Sequence, residues 1–269
     1  MLKNPTGMKR SKPREDTKMG LMLHAGAQAI TREGLALLPE PKKLGARHNP
    51  LPFFEDVELV TKELNMRDMH VADEAFGVLY TKEGDPARYF GVMELAHERM
   101  DHTLVVGLRG SYDQSISRGL AVGSRVFVCD NLAFSGEVTF QTKQTTNIMD
   151  RLPRMIGEAA MKVPQLAELQ AMRFDQYRLT KLEERYGEAA LIELMRREVL
   201  NANSIHRAIQ EWDTPSHDEH AEDGFTIWRL MNAVTEAIKA KDPDRPNVLP
   251  VWDRTIAMTQ YFDELVAVA

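Results

Sequence analysis

The sequence has one cysteine, Cys129, in 269 residues. A single thiol excludes an intrachain disulfide and any zinc cage built from several cysteines, and it fits a reducing compartment. No run approaches the roughly 18 consecutive apolar residues that cross a bilayer, and the N-terminus lacks the apolar stretch of a secretory signal. A cytoplasmic location, in a bacterial host, with no membrane partner is the expectation. Positive charge is not in excess: 34 Lys and Arg stand against 40 Asp and Glu, a formal net charge of -6. Such a chain does not coat nucleic acid through its overall charge. A Gly-rich phosphate loop, a dinucleotide fingerprint and a Ser-His-Asp arrangement are all absent. Two histidine stretches lack metal-binding spacing. His97 and His102 are five apart, where one helical face requires four. His217-Asp218-Glu219-His220 lies between Pro215 and Gly224 and reads as a solvated acidic loop. No cofactor and no metal site are expected.

What is present is a folded composition, with 43% hydrophobic and 28% charged residues, which excludes disorder or a fibrous repeat for most of the chain. Six basic residues crowd the first eighteen positions (Lys3, Lys9, Arg10, Lys12, Arg14 and Lys18) beside Pro5, Gly7 and Pro13. Residues 1–20 therefore read as a disordered basic tail, whose functional form would be an arm on phosphate. Residues 21–147 read as a sheet region, and residues 148–269 as a helical region packed on it in one domain.

Phe53, Val57, Val60 and Leu64 recur three or four apart and predict one amphipathic helix. Five β-rich runs follow: Ala75 to Thr81, Arg88 to Leu95, His102 to Arg109, Arg125 to Cys129 and Gly136 to Thr142. The Gly84-Asp85-Pro86 signal between the first two predicts a hairpin. Beyond Asn147 the period turns helical, and Pro164 is expected to kink or break the first long helix. Strands first and helices afterwards define an α+β fold, an antiparallel or mixed sheet of about five strands followed by a helical C-terminal region. Gln176 to Trp212, with Gly187 at a turn and Arg196, Arg197 and Arg207 exposed, has the outline of a helix-turn-helix but equally that of an ordinary helix pair.

The densest polar cluster is Arg109-Gly110-Ser111-Tyr112-Asp113-Gln114-Ser115, after the buried run Leu104 to Leu108. Short polar side chains there fix a tight turn, or line a ligand site at a strand end. The candidate binding residues are Arg109, Ser111, Tyr112, Asp113, Ser115, Arg118, Arg125, Asp130 and Asn131. Arg125 requires an acidic partner if buried and reaches phosphate if exposed. Cys129 reads as a packed side chain, since no basic neighbour lowers its pKa. No catalytic residue is assigned, although Asp113 or Asp130 could serve as a general base.

These residues resemble a known family, the phage/plasmid-like proteins catalogued as domain of unknown function 932. Ser111, Asp113 and Ser115 match its first motif, and Arg125, Cys129 and Asn131 its second. Gly110, Tyr112 and Gln114 depart from it, standing where the family favours Asn, His and Gly. Asn49 to Leu64 and Thr226 to Glu236 are also similar. The resemblance implies a phage or plasmid origin and a shared fold, and supplies no activity. The functional expectation is a non-enzymatic, oligomeric protein binding nucleic acid, in particular single-stranded DNA. The alternative is a counter-defence or host-takeover protein binding a host protein or a small signalling molecule.

Overall fold

The computed structural model describes residues 27–98, 102–126, 131–239 and 251–268, with the side chains of residues 97–98, 102, 125–126, 131–139, 239 and 251–252 outside the description. The basic tail, Cys129 and Asp130 thus lie outside the described residues.

The chain folds as α+β. Six strands form one antiparallel sheet in sequence order. They are β1 (Gln28–Ile30), β2 (Val71–Tyr80), β3 (Pro86–Glu98), β4 (His102–Ser111), β5 (Arg118–Val126) and β6 (Asn131–Thr142). From β2 to β6 each strand is tied to the next by a short connection, which gives an antiparallel meander, whereas β1 reaches the edge of β2 across the segment that carries two helices. Between β2 and β3 the expected hairpin forms: the Thr81 N–H bonds the Asp85 carbonyl at 2.8 Å, and Gly84 takes a left-handed φ of 88°. That conformation suits glycine, which has no Cβ to clash.

Two sequence expectations shift. Strand β1 was not legible, because three residues show no period; it forms by adding to the edge of β2, with Gln28 opposite Val78. Strand β5 begins at Arg118, seven residues before the expected start. Gly119 and Gly123 lie inside it, opposite Arg109 and Val105. Glycine disfavours strand by propensity, yet a central position paired on both sides overrides that preference.

Eight described helices complete the fold: α1 (Arg32–Ala36), α2 (Phe53–Asn65), α3 (Ile148–Leu179), α4 (Glu184–Arg196), α5 (Ala202–Asp213), α6 (Asp218–Glu222), α7 (Ile227–Lys239) and α8 (Val251–Val268). Pro164 does not break helix α3, which continues for 32 residues with Pro153 and Pro164 inside it. Pro164 is on the exposed side, while the buried stripe Leu152, Ile156, Ala160, Val163 and Leu166 continues past it. Packing of that stripe outweighs the hydrogen bond a proline removes. No described helix is long and apolar enough to cross a membrane.

Alternation along the strands sends side chains to two cores. Leu104, Val106, Leu108, Leu120 and Val122 join α2 and the first half of α3; Val105, Val92 and Ala121 join the C-terminal helices. Both faces of the central strands are therefore buried, which explains the near-continuous apolar run in β4.

Candidate functional site

The predicted site divides along this geometry. Strand β5 has the Ser111 to Ser115 turn at its start and the segment before Asn131 at its end, where Val126 pairs with Asn131. Eight residue steps of extended chain separate these ends by about 25 Å. The two motifs read from the sequence thus flank opposite ends of one strand and do not converge. Arg125 and Asn131 are placed by their backbones alone.

At the first end, the polar side chains close the turn on itself. The Ser111 hydroxyl donates to the Ile116 carbonyl at 2.9 Å and accepts from the Ile116 N–H at 3.2 Å. Asp113 accepts from the Ser115 N–H at 2.9 Å and from the Ser115 hydroxyl. Arg88 reaches across from β3, its Nε donating to the Ser115 hydroxyl at 2.6 Å and lying 3.6 Å from Asp113. Burial alone would raise the Asp113 pKa, but the Ser115 hydroxyl and N–H, the Ser111 hydroxyl and the Arg88 charge hold it below the usual carboxylate range. A carboxylate stabilised in that way is a weak base near neutrality. Gln114 adopts a left-handed φ of 61°, at the position where the family it resembles favours glycine.

Of the three arginines of the predicted set, the two with described side chains, Arg109 and Arg118, point in opposite directions. Arg109 is 5% exposed and pairs with Asp253 of α8 at 3.0 Å. Arg118 is 1% exposed, and its Nη1 lies 2.9 Å from Asp56 of α2. Its Nη2 donates to the Leu51 carbonyl at 2.8 Å. Asp56 also accepts from the Tyr89 hydroxyl. Tyr112 stacks on Phe53 at 3.8 Å between ring centres and accepts the Phe53 N–H at 2.9 Å. Gln144 completes the group, accepting the Leu51 N–H at 3.0 Å and donating to the Ser111 carbonyl. This buried network fastens the start of α2 to the end of β4 and the start of β5. Burial pushes the Tyr112 hydroxyl up to about 12, and the neighbouring Arg118 charge pulls the other way. Burial and the Asp56 charge raise Tyr89 well above the tyrosine range.

Asp56, Tyr89 and Gln144 were missed from sequence. One signal existed for Asp56, which falls beside Phe53, Val57 and Val60 on the apolar stripe of α2, where a carboxylate requires a buried cation. Gln144 carried no signal, since its partners, the Leu51 N–H, the Ser111 carbonyl and the Arg118 guanidinium, are distant in sequence.

Exposed positive charge gathers elsewhere. An isolated antiparallel bridge between His48 and Thr145 lays the segment ending at Arg47 against the junction of β6 and α3. Arg151, in the first turn of α3, donates to Thr142 Oγ1 at 3.2 Å, Thr145 Oγ1 at 3.1 Å and the Lys143 carbonyl at 3.4 Å. All three bonds use Nη2, so its other guanidinium N–H groups stay open. Arg47, Lys143 and Arg151 are exposed and have no acidic partner among the described residues.

The remaining motifs are absorbed by the fold. Gly187 lies inside α4, not at a turn, and the Trp212 ring occupies the space a Cβ would need, 2.2 Å from where one would stand. Arg196, Arg197 and Arg207 pair with Glu193, Glu264 and Glu211. His217 stands at the N-cap position of the short helix α6, without a side-chain capping bond; the helix replaces the expected loop, and His220 is buried 3.5 Å from Asp223. Among the described residues no group of three or more His, Cys, Asp or Glu side chains is placed to hold a metal. No protein-family model, curated protein or solved structure matches the chain.

Proposed function

We propose that this chain is a non-enzymatic nucleic-acid-binding protein acting on single-stranded DNA. The observation that carries the reading is the trio Arg47, Lys143 and Arg151, exposed and without acidic partners where the β6–α3 junction meets the 42–47 segment. A guanidinium held at one nitrogen and open at the others is ready to contact a phosphate oxygen. The basic residues of the first eighteen positions add to the positive charge of the same chain. The contact surface is thereby moved from Arg109 and Arg118, which are buried and paired within the fold. Kinship with the phage/plasmid-like family belongs to this proposal and rests on the six motif residues and on the left-handed Gln114. Purified protein at low salt should retard a labelled single-stranded oligonucleotide; a protein that shifts neither single-stranded nor duplex DNA sinks the reading.

A second reading, a counter-defence protein binding a host protein or a small signalling molecule, rests on the Arg88–Asp113–Ser115 tip, which is ordered by internal bonds and lies at the surface. Loss of a co-purifying host protein in Asp113→Ala would favour it over the first.

A further inference from the structure

One face of α3 has no covering element among the described residues. Met161 is 63% exposed, Leu169 43%, Met172 60% and Leu179 81%. With exposed Gln165 and Gln176 between them they form the series Met, Gln, Leu, Met, Gln, Leu at spacings of three or four, so all six lie within one quarter of the helix surface. The opposite face is buried through Leu166, Phe174 and Tyr177, so the helix is fixed in rotation and the stripe cannot turn inward. A solvated helix face ordinarily carries charge, and this line of six carries none.

We infer that this stripe is the interface of an antiparallel homodimer, with α3 packed against its two-fold copy. The series reads nearly the same in both directions about Gln170 and Ala171. Under such a two-fold, Leu169 meets Met172 of the partner subunit, Gln165 meets the partner's Gln176, and Met161 meets the partner's Leu179. An isologous contact requires this self-complementarity. The stripe is about 27 Å long, and six side chains offering roughly 100 Å² each bury on the order of 1,200 Å² over both subunits, the lower limit of a specific interface. The thioethers suit a surface that must fit a copy of itself. The arrangement also places the two Arg151 clusters at opposite ends of the helix pair, about 60 Å apart.

The test is light scattering on full-length protein after nuclease treatment, in 0.5 M salt, so that an oligomer bridged by nucleic acid is not mistaken for this one. Wild type should have twice the 30.6 kDa mass of the chain. Leu169→Glu/Met172→Glu should halve it while leaving the far-ultraviolet circular dichroism of the fold unchanged, since neither side chain is buried in the subunit, and should lower the melting temperature only by the stabilisation that association supplies. As a second readout, in a Cys129→Ser background, Leu169→Cys mixed with Met172→Cys should form a disulfide-linked pair, and either variant alone should form much less. A wild-type monomer at 100 µM overturns the inference, as does a double-glutamate variant that remains dimeric. Neither result bears on nucleic-acid binding, which the oligonucleotide assay reads separately.

Discussion

Single residues hold the sheet to α2, and the Arg118–Asp56 pair is the most consequential of them. Two charges withdrawn from water are tolerable only while each satisfies the other. Asp56→Asn should therefore cost about 3–5 kcal/mol in urea unfolding, because it strands a buried guanidinium; a loss below about 1 kcal/mol would show that the pair is dispensable. Tyr112 adds a pH dependence. Its hydroxyl titrates near 10 in the unfolded chain and is pushed up to about 12 in the folded one. Between those values the folded state binds more protons, so stability is fully present below pH 10 and falls as pH rises to 12. The loss amounts to about 2–3 kcal/mol from this residue, and Tyr112→Phe should flatten the decline across that window. Neither effect requires a ligand, which marks the network as structural in the unliganded chain.

At the level of elements, the helices are held by contacts that a sequence conceals. Asn201 caps α5, accepting the Ser204 N–H at 2.8 Å while the Ser204 hydroxyl accepts the Asn201 N–H at 2.9 Å. That reciprocal pair is local and readable from spacing. The contact between α4 and α5 is not. Trp212 lies over Gly187 and donates its ring N–H to the Glu184 carbonyl at 3.2 Å. Gly187→Ala forces the indole away and should destabilise by about 1–3 kcal/mol, visible as a lower melting temperature. An unchanged temperature would show that the indole moves freely.

For the whole molecule, the sign of the net charge sets the terms of any nucleic-acid contact. A chain of net charge -6 repels a polyanion at long range and binds one only through a local field, within a Debye length of about 10 Å. Binding by Arg47, Lys143 and Arg151 should weaken steeply with salt, with a slope in log affinity of about -0.7 for each phosphate neutralised on a single strand. The triple change to Gln should reduce that slope by about 2. A slope equal to wild type would place the contact elsewhere. The same change leaves the α3 stripe intact and should not alter subunit mass.

The sequence alone determined the α+β class, the order of strands before helices, the β2–β3 hairpin and helix α2, because periodicity and turn residues are local properties. It also reached the Ser111–Asp113–Ser115 turn, whose bonds close within six residues. Tertiary structure decided what those residues face. Arg118 and Arg109 look alike in sequence, yet alternation on the sheet sends one to Asp56 and the other to Asp253, far along the chain in opposite directions. The distance between the two motifs was equally hidden, since the seven residues from Arg118 to Ser124, left outside the expected strand, became paired strand once neighbours on both sides supplied hydrogen bonds.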